Sequence, residues 1–237
     1  MAEPIEQRLL SAIGGRRGVA AADRLCEACA QLLSVDGAAI SLVFDGANVG
    51  TLGASDARAR MFDELQFTMG EGPCLDSVAA RGVVMVADLA DPDELRWPGY
   101  GPVMLAHQVR TVYAMPVVVA GEYVGALDLF RADPAVLDAE QMATLVMAAE
   151  LAQMPVLDLL AADFEAAVAD PGSDAWKELN TLSRAEVSQA TGMVMAQLGI
   201  EAAAALARLR AHAYATARSA TEVARDILDR TLYLEAD

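Results

Sequence analysis

Arg210, Tyr214 and Arg218 recur at i, i+4 and i+8, which draws one line along a helix. Guanidinium forks grip phosphate oxygens, and a tyrosine between them could stack on an unpaired base. Arg208 and His212 line the opposite edge. The same spacing also suits a solvated helix face, so it does not decide the matter alone. A second stretch, EVSQATGMVMAQLG (186–199), carries Gly192 inside a helical pattern, at about 1 kcal/mol against Ala. Val187, Ala190, Val194 and Leu198 mark the inner face; Gln189, Gly192, Met193 and Ala196 lie opposite. A bare glycine there admits a close backbone, either RNA phosphate or a partner helix.

Other reactive residue types carry weaker signals. Cys26-x-x-Cys29 has redox spacing but sits in an apolar helical stripe, which favours buried packing. Cys74 follows Gly-Glu-Gly-Pro and could open a short helix, whose dipole would lower the thiol pKa and suit ligand or redox sensing. His107 is the one axial haem ligand the front of the chain offers, and its setting, LAHQV, reads as an ordinary half-buried helix. No Cys/His cluster has metal spacing, no cofactor fingerprint is present, and no nucleophile–base motif occurs. The expectation is a chain without cofactor, metal or catalysis.

Charge divides the chain. Of its 237 residues, 17 are basic and 34 acidic, a net −17 that repels nucleic acid taken whole. Residues 1–183 hold 11 basic and 27 acidic groups, whereas 184–237 hold 6 and 7. The last quarter is therefore near neutral, and all six of its basic groups are arginine. Three cysteines fit a reducing compartment. The longest apolar run, Val112–Ala120, is far short of a bilayer span. The N-terminus lacks the basic-then-apolar order of a secretory signal, so a soluble cytoplasmic chain is expected.

The elements that must position these residues follow from periodicity. Residues 19–34 read as a helix, 38–44 and 46–53 as a strand and hairpin-like partner, and 55–66 as a short helix. A strand at 83–89, a helix around 103–109 and two strands at 110–120 and 122–131 come next, the last pair joined by Ala120-Gly121. Both strands are apolar on both faces and should be central. A long helix starts at Asp138, with Met142, Leu145, Val146, Ala149 and Ala152 on one stripe, and Pro155 should kink or restart it. The front is thus an α+β sheet domain flanked by helices. Asp170-Pro171-Gly172-Ser173 breaks the chain. A three-helix tail follows, with Ser183-x-x-Glu186 a candidate capping box, Gly199 a C′ residue, a second helix over 201–217 and Ser219-x-x-Glu222 a capping box for a third that runs to about Tyr233.

Within that tail, Gln189-Ala190-x-Gly192-Met193-x-Met195, Leu206-x-x-Leu209-Arg210-x-x-Ala213 and Glu222-Val223-Ala224 resemble the ANTAR family of RNA-binding transcription antiterminators. Residues 20–155, with Gly70-Glu71-Gly72-Pro73 and Gly125-Ala126-Leu127, resemble a GAF sensor domain. The resemblance implies an antiparallel-sheet sensor with its coupling helix (138–168) over 1–168, a linker at 169–175 and an all-α RNA-binding domain over 176–237. It further implies a homodimer that binds paired hairpins in a nascent transcript and keeps a terminator from forming, with a small-molecule ligand in the sensor pocket. The RNA surface would then draw on Gln189, Thr191, Gly192, Met193, Arg208, Arg210, Tyr214 and Arg218. Many relatives carry a lysine where Thr191 stands; its hydroxyl can donate to phosphate but adds no charge. The other reading is a dimeric protein-interaction scaffold that binds no nucleic acid.

Overall fold

Two tight turns organise the sheet. Asp45-Gly46 joins β1 (Gly37–Phe44) to β2 (Ala47–Ala54), and Ala120-Gly121 joins β4 (Thr111–Val119) to β5 (Glu122–Arg131). All four turn residues have positive φ, between 49° and 88°. Two-residue loops of that kind carry the twist antiparallel strands need. In the computed structural model, which describes residues 3–161 and 184–235, the sheet order is β2-β1-β5-β4-β3, with β3 spanning Val84–Val86. Every neighbouring pair is antiparallel. β5 is central, as its two apolar faces require; β4 lies one strand in from the edge, between β5 and the short β3.

The alternation along β5 sorts its side chains into two cores. Leu127 and Leu129 face α1 (Ile5–Ile13), α2 (Gly18–Leu33), α6 (Ala139–Leu151) and α7 (Gln153–Ala161). Ala126 and Phe130 face α3 (Ala57–Met69), α4 (Pro73–Ala80) and α5 (Tyr100–Ala106). Helix α1 was not expected, whereas α4 is the short helix that Cys74 was expected to open. Gly-Glu-Gly-Pro reads as a loop, yet Pro73 is the first residue of α4, where its missing N–H costs nothing. Cys26 and Cys29 are wholly buried on α2, as their stripe suggested.

At Gly125 the β1–β5 pair leaves no room for a side chain. A Cβ there would lie 2.0 Å from the Ser41 carbonyl oxygen. Gly125→Ala is expected to lower stability by about 3 kcal/mol, because two backbones of a central pair must separate. Urea unfolding monitored by circular dichroism reads this directly, and an unchanged midpoint would contradict the register.

Asp138 caps α6 in a reciprocal box with Gln141. The helix breaks at Ala152 and restarts with Pro155 in the first turn of α7, as Pro155 required. Together they form an apolar run, Ala139–Leu159, long enough to cross a membrane, with 39% of it buried in the chain. Leu145, Ala148, Ala149 and Ala152 point into the chain's own core, whereas Val146, expected on that stripe, is 39% exposed. The boundary residues 169–175, Ser183 and the start of the tail lie outside the described residues.

The tail folds as α8 (Ala185–Leu198), α9 (Ala202–Ala215) and α10 (Ala220–Leu228). Gly199 caps α8 at φ 64°, and Ser219 with Glu222 forms both halves of the capping box. Helices α9 and α10 end earlier than periodicity suggested. At each end a left-handed residue, Ala217 or Arg230, lets the next N–H reach back to Ala213 or Asp226, which closes the helix. Val187, Ala190, Val194, Ala205, Leu209, Ala213, Val223, Ala224 and Ile227 form the small core; Leu198 is only half-buried. Phe67, from the end of α3, is part of that same core.

Candidate nucleic-acid interface

Helix α8 turns Gln189, Gly192 and Ala196 outward and half-buries Met193. No heavy atom lies within 4 Å of a Cβ built on Gly192, so that patch is open as its spacing implied. Thr191 is different. It is buried, and its Oγ1 donates to the Val187 carbonyl at 2.7 Å. The hydroxyl proton expected for phosphate is therefore spent within the helix.

On α9 the expected line of cations is broken. Tyr214 stands 53% exposed, but α9 ends at Ala215, and Arg218 folds back to donate to Asp226 at 2.7 Å and to the Glu222 carbonyl. Arg208 donates to the Glu235 carbonyl at 3.0 Å. Arg210 lies against the front domain, its guanidinium carbon 4.6 Å from the Phe67 ring centre and its Nη1 over Gly70. Arg184, at the entry to α8, sits on the same ring at 4.2 Å. The Ala220 N–H donates to the Thr68 hydroxyl at 3.1 Å, so α10 is also tied to α3. Of the residues predicted to touch RNA, only Arg210 is turned onto the sheet domain by a stacking contact. Sequence spacing missed Arg184 and Phe67 because their partners are remote in the chain.

Arg184 reaches through the interface to a buried polar network. Its Nη2 donates to Asn48 Oδ1 at 3.2 Å and pairs with Asp63 at 3.8 Å. Asp63 accepts from Ser41 at 2.6 Å, Asn48 at 3.0 Å and Thr51. Asp128 accepts from Gln66 at 2.8 Å and lies 2.9 Å from the Ser41 hydroxyl, while its Oδ1 has no partner. Ser41 has one proton and faces two carboxyls; the simplest arrangement has it donate to Asp63 and accept from a protonated Asp128. Burial pushes the Asp128 carboxyl well above the usual carboxylate range, and the neighbouring Asp63 pushes the same way.

Cys74 joins this group. Asp63, Cys74 and Asp128 bring ligand atoms within 4.8 Å of one another, a set with metal-ligating chemistry that no sequence spacing revealed. The Cys74 thiol is not lowered by the α4 dipole as expected. Burial raises it, with Asp128 and Asp63 adding to the effect. Its first-turn N–H donates instead to Gln66 Oε1 at 2.8 Å. Glu71 of Gly-Glu-Gly-Pro accepts from Gly99 and Tyr100 at 2.6 and 2.8 Å, which fastens the start of α5. His107 is exposed at the end of α5, edge-on to Phe62 at 6.1 Å.

A carboxyl that holds its proton more tightly folded than unfolded favours the fold at low pH and loses that advantage as pH rises. Asp128→Asn keeps the neutral hydrogen-bonding shape at every pH. Its thermal midpoint, relative to the natural protein, is expected to climb as pH rises from about 4 to 8. A difference that stays constant with pH would overturn the protonated carboxyl.

The chain folds as a five-stranded antiparallel sheet with helices on both faces and a polar cluster beneath its central strand. The GAF domain model matches residues 19–154, and the chain belongs to that family. The ANTAR domain model matches residues 180–228, so a GAF sensor precedes an ANTAR RNA-binding domain, the architecture of a regulated antiterminator in general. Among solved structures, the chain is similar to the GAF domain of an Acinetobacter phosphoenolpyruvate-protein phosphotransferase: 11% identity, 67% of this chain, 93% of that one, TM-score 0.52. The GAF domain of a Coxiella burnetii phosphoenolpyruvate-protein phosphotransferase gives 15%, 66%, 93% and 0.52. At those identities the likeness concerns the fold alone. No curated protein matches the chain.

Proposed function

We propose that this protein is a cytoplasmic, signal-responsive antiterminator that binds hairpins in nascent mRNA through its tail and so keeps a terminator from forming. In the docked arrangement the sensor covers part of the RNA surface; a signal at the sensor releases it. The observation that carries this reading is Arg210, the central cation of the α9 face, stacked on Phe67 with no carboxylate partner among the described residues. A cation held by an aromatic ring and not by an ion pair can be surrendered to phosphate without leaving a carboxylate bare. Tyr214 and Gly192 remain open beside it as a stacking platform and a flat approach. The protein acts by binding and not by catalysis.

Homodimerisation is part of the proposal. The inner stripe of α6 is occupied by the chain's own core, but Val146, Met154 and Leu157 remain 39–46% exposed along α6 and α7 and offer a face to a second copy. Light scattering should give a dimer; a strict monomer with and without RNA would remove this part.

Titration of the full chain with hairpin RNA at two salt concentrations tests RNA binding. Affinity should fall as salt rises, and Arg210→Ala should reduce the slope of log K against log salt by about one. Arg218→Ala should weaken binding less, because that cation is already paired with Asp226. Binding that ignores salt and Arg210 would favour a protein-interaction scaffold instead.

A further inference from the structure

At the interface between sensor and tail lies an open groove of about 480 Å³, bounded by the β1–β2 hairpin, the end of α3, α8 and α9. Its walls are largely apolar, with Val49, Phe67, Met195 and Leu206, and among the described residues no aspartate or glutamate lines it. Arg184 and Arg210 both do. The Arg184 side chain is 8% exposed, and the Nε atoms of both arginines are buried without a hydrogen-bond partner. Two guanidinium-bearing residues thus border one largely apolar groove of a size that holds a small organic molecule.

The charges narrow the occupant. Arg184 is already matched by Asp63 across 3.8 Å. Arg210 has no matching carboxylate among the described residues, and Arg184 stands close enough to repel it. One positive charge is therefore unbalanced beside an apolar wall, a costly arrangement that a single negative charge would relieve. Guanidinium N–H groups fit the plane of a carboxylate and bind it more tightly than a neutral acceptor.

We propose that this groove binds a monocarboxylate with an apolar body, its carboxylate held by the guanidinium of Arg210 and its chain against Val49, Met195 and Leu206. Such a ligand touches sensor and tail at once, so it holds the two together. The site is separate from the buried cluster under the sheet. The inference rests on the docked arrangement of the tail and not on RNA binding.

Octanoate serves as the probe, with octanol as its uncharged counterpart, in calorimetric titrations of the full chain. One octanoate per chain should bind, and octanol should bind at least tenfold more weakly. Arg210→Gln should weaken octanoate at least tenfold. Gly192→Leu fills the groove from α8 while both guanidiniums remain, and it replaces a helix-interior glycine by a better helix former, so the fold should survive. It too should weaken octanoate at least tenfold. No binding of octanoate, equal binding of octanol, or unchanged binding by Gly192→Leu would each overturn the site. None of these results bears on the salt-dependent RNA titration, which reads the tail by a different ligand.

Discussion

Phe67→Ala should detach the tail from the sensor. Phe67 is 6% exposed, stands in the tail's core although α3 supplies it, and carries the guanidiniums of Arg184 and Arg210 at 4.2 and 4.6 Å. Truncating a buried aromatic costs about 3–5 kcal/mol, and two lost cation–π contacts add about 1 kcal/mol or more. The sheet does not depend on this ring, because its cores lie between the strands and their own helices. Hydrogen exchange should therefore accelerate in α8, α9 and α10 while amides of β1 and β5 keep their protection. Equal acceleration throughout would mean that Phe67 stabilises the whole chain, and no change would mean that the tail holds without it.

Arg184 is the second large effect. Its side chain forms a buried pair with Asp63, and its backbone sits at φ 46°, ψ 44° before α8. Removing one partner of a buried pair leaves the other charge bare, at about 3 kcal/mol. Arg184→Ala should lose that amount and retain the left-handed strain. Arg184→Gly loses the same pair but relieves the strain, so it should be about 1 kcal/mol more stable than Arg184→Ala. Denaturant unfolding of the two variants separates these contributions. Two variants of equal stability would place the backbone effect elsewhere, and two variants as stable as the natural protein would remove the pair from the account.

Local chemistry was legible where it is written in adjacent residues. Ala120-Gly121 announced its hairpin, Ser219-x-x-Glu222 its capping box, and Pro155 the break between α6 and α7, because each acts through neighbours in the chain. The inner faces of α8 and α9 were legible for the same reason: Val187, Ala190, Ala205 and Leu209 repeat at helical spacing. The short helix after Gly-Glu-Gly-Pro was legible at Cys74, but not that proline itself is its first residue. The helix ends beyond Tyr214 were hidden too, since Ala217 and Arg230 adopt left-handed backbone without the glycine that usually marks it.

The site was less legible because its contacts are long-range. Asp63 lies in a segment that reads only as a short helix, yet it is wholly buried beside Asp128 and Ser41. Nothing near Arg210 in sequence foretells that it stacks on Phe67. Thr191 shows a different limit. Its type suggested a donor to phosphate, but whether a helical hydroxyl turns outward or back to the carbonyl four residues earlier is settled by packing, and here it turns back.

The most direct test of the docked, RNA-masking tail is the affinity of the full chain for a hairpin RNA, measured by fluorescence anisotropy at one fixed salt concentration for the natural protein and for Phe67→Ala. Phe67→Ala leaves Arg210, Tyr214 and Gly192 in place and removes the surface that covers Arg210. The account predicts tighter binding by Phe67→Ala. Equal or weaker binding, with the tail helices still formed by circular dichroism, would contradict it.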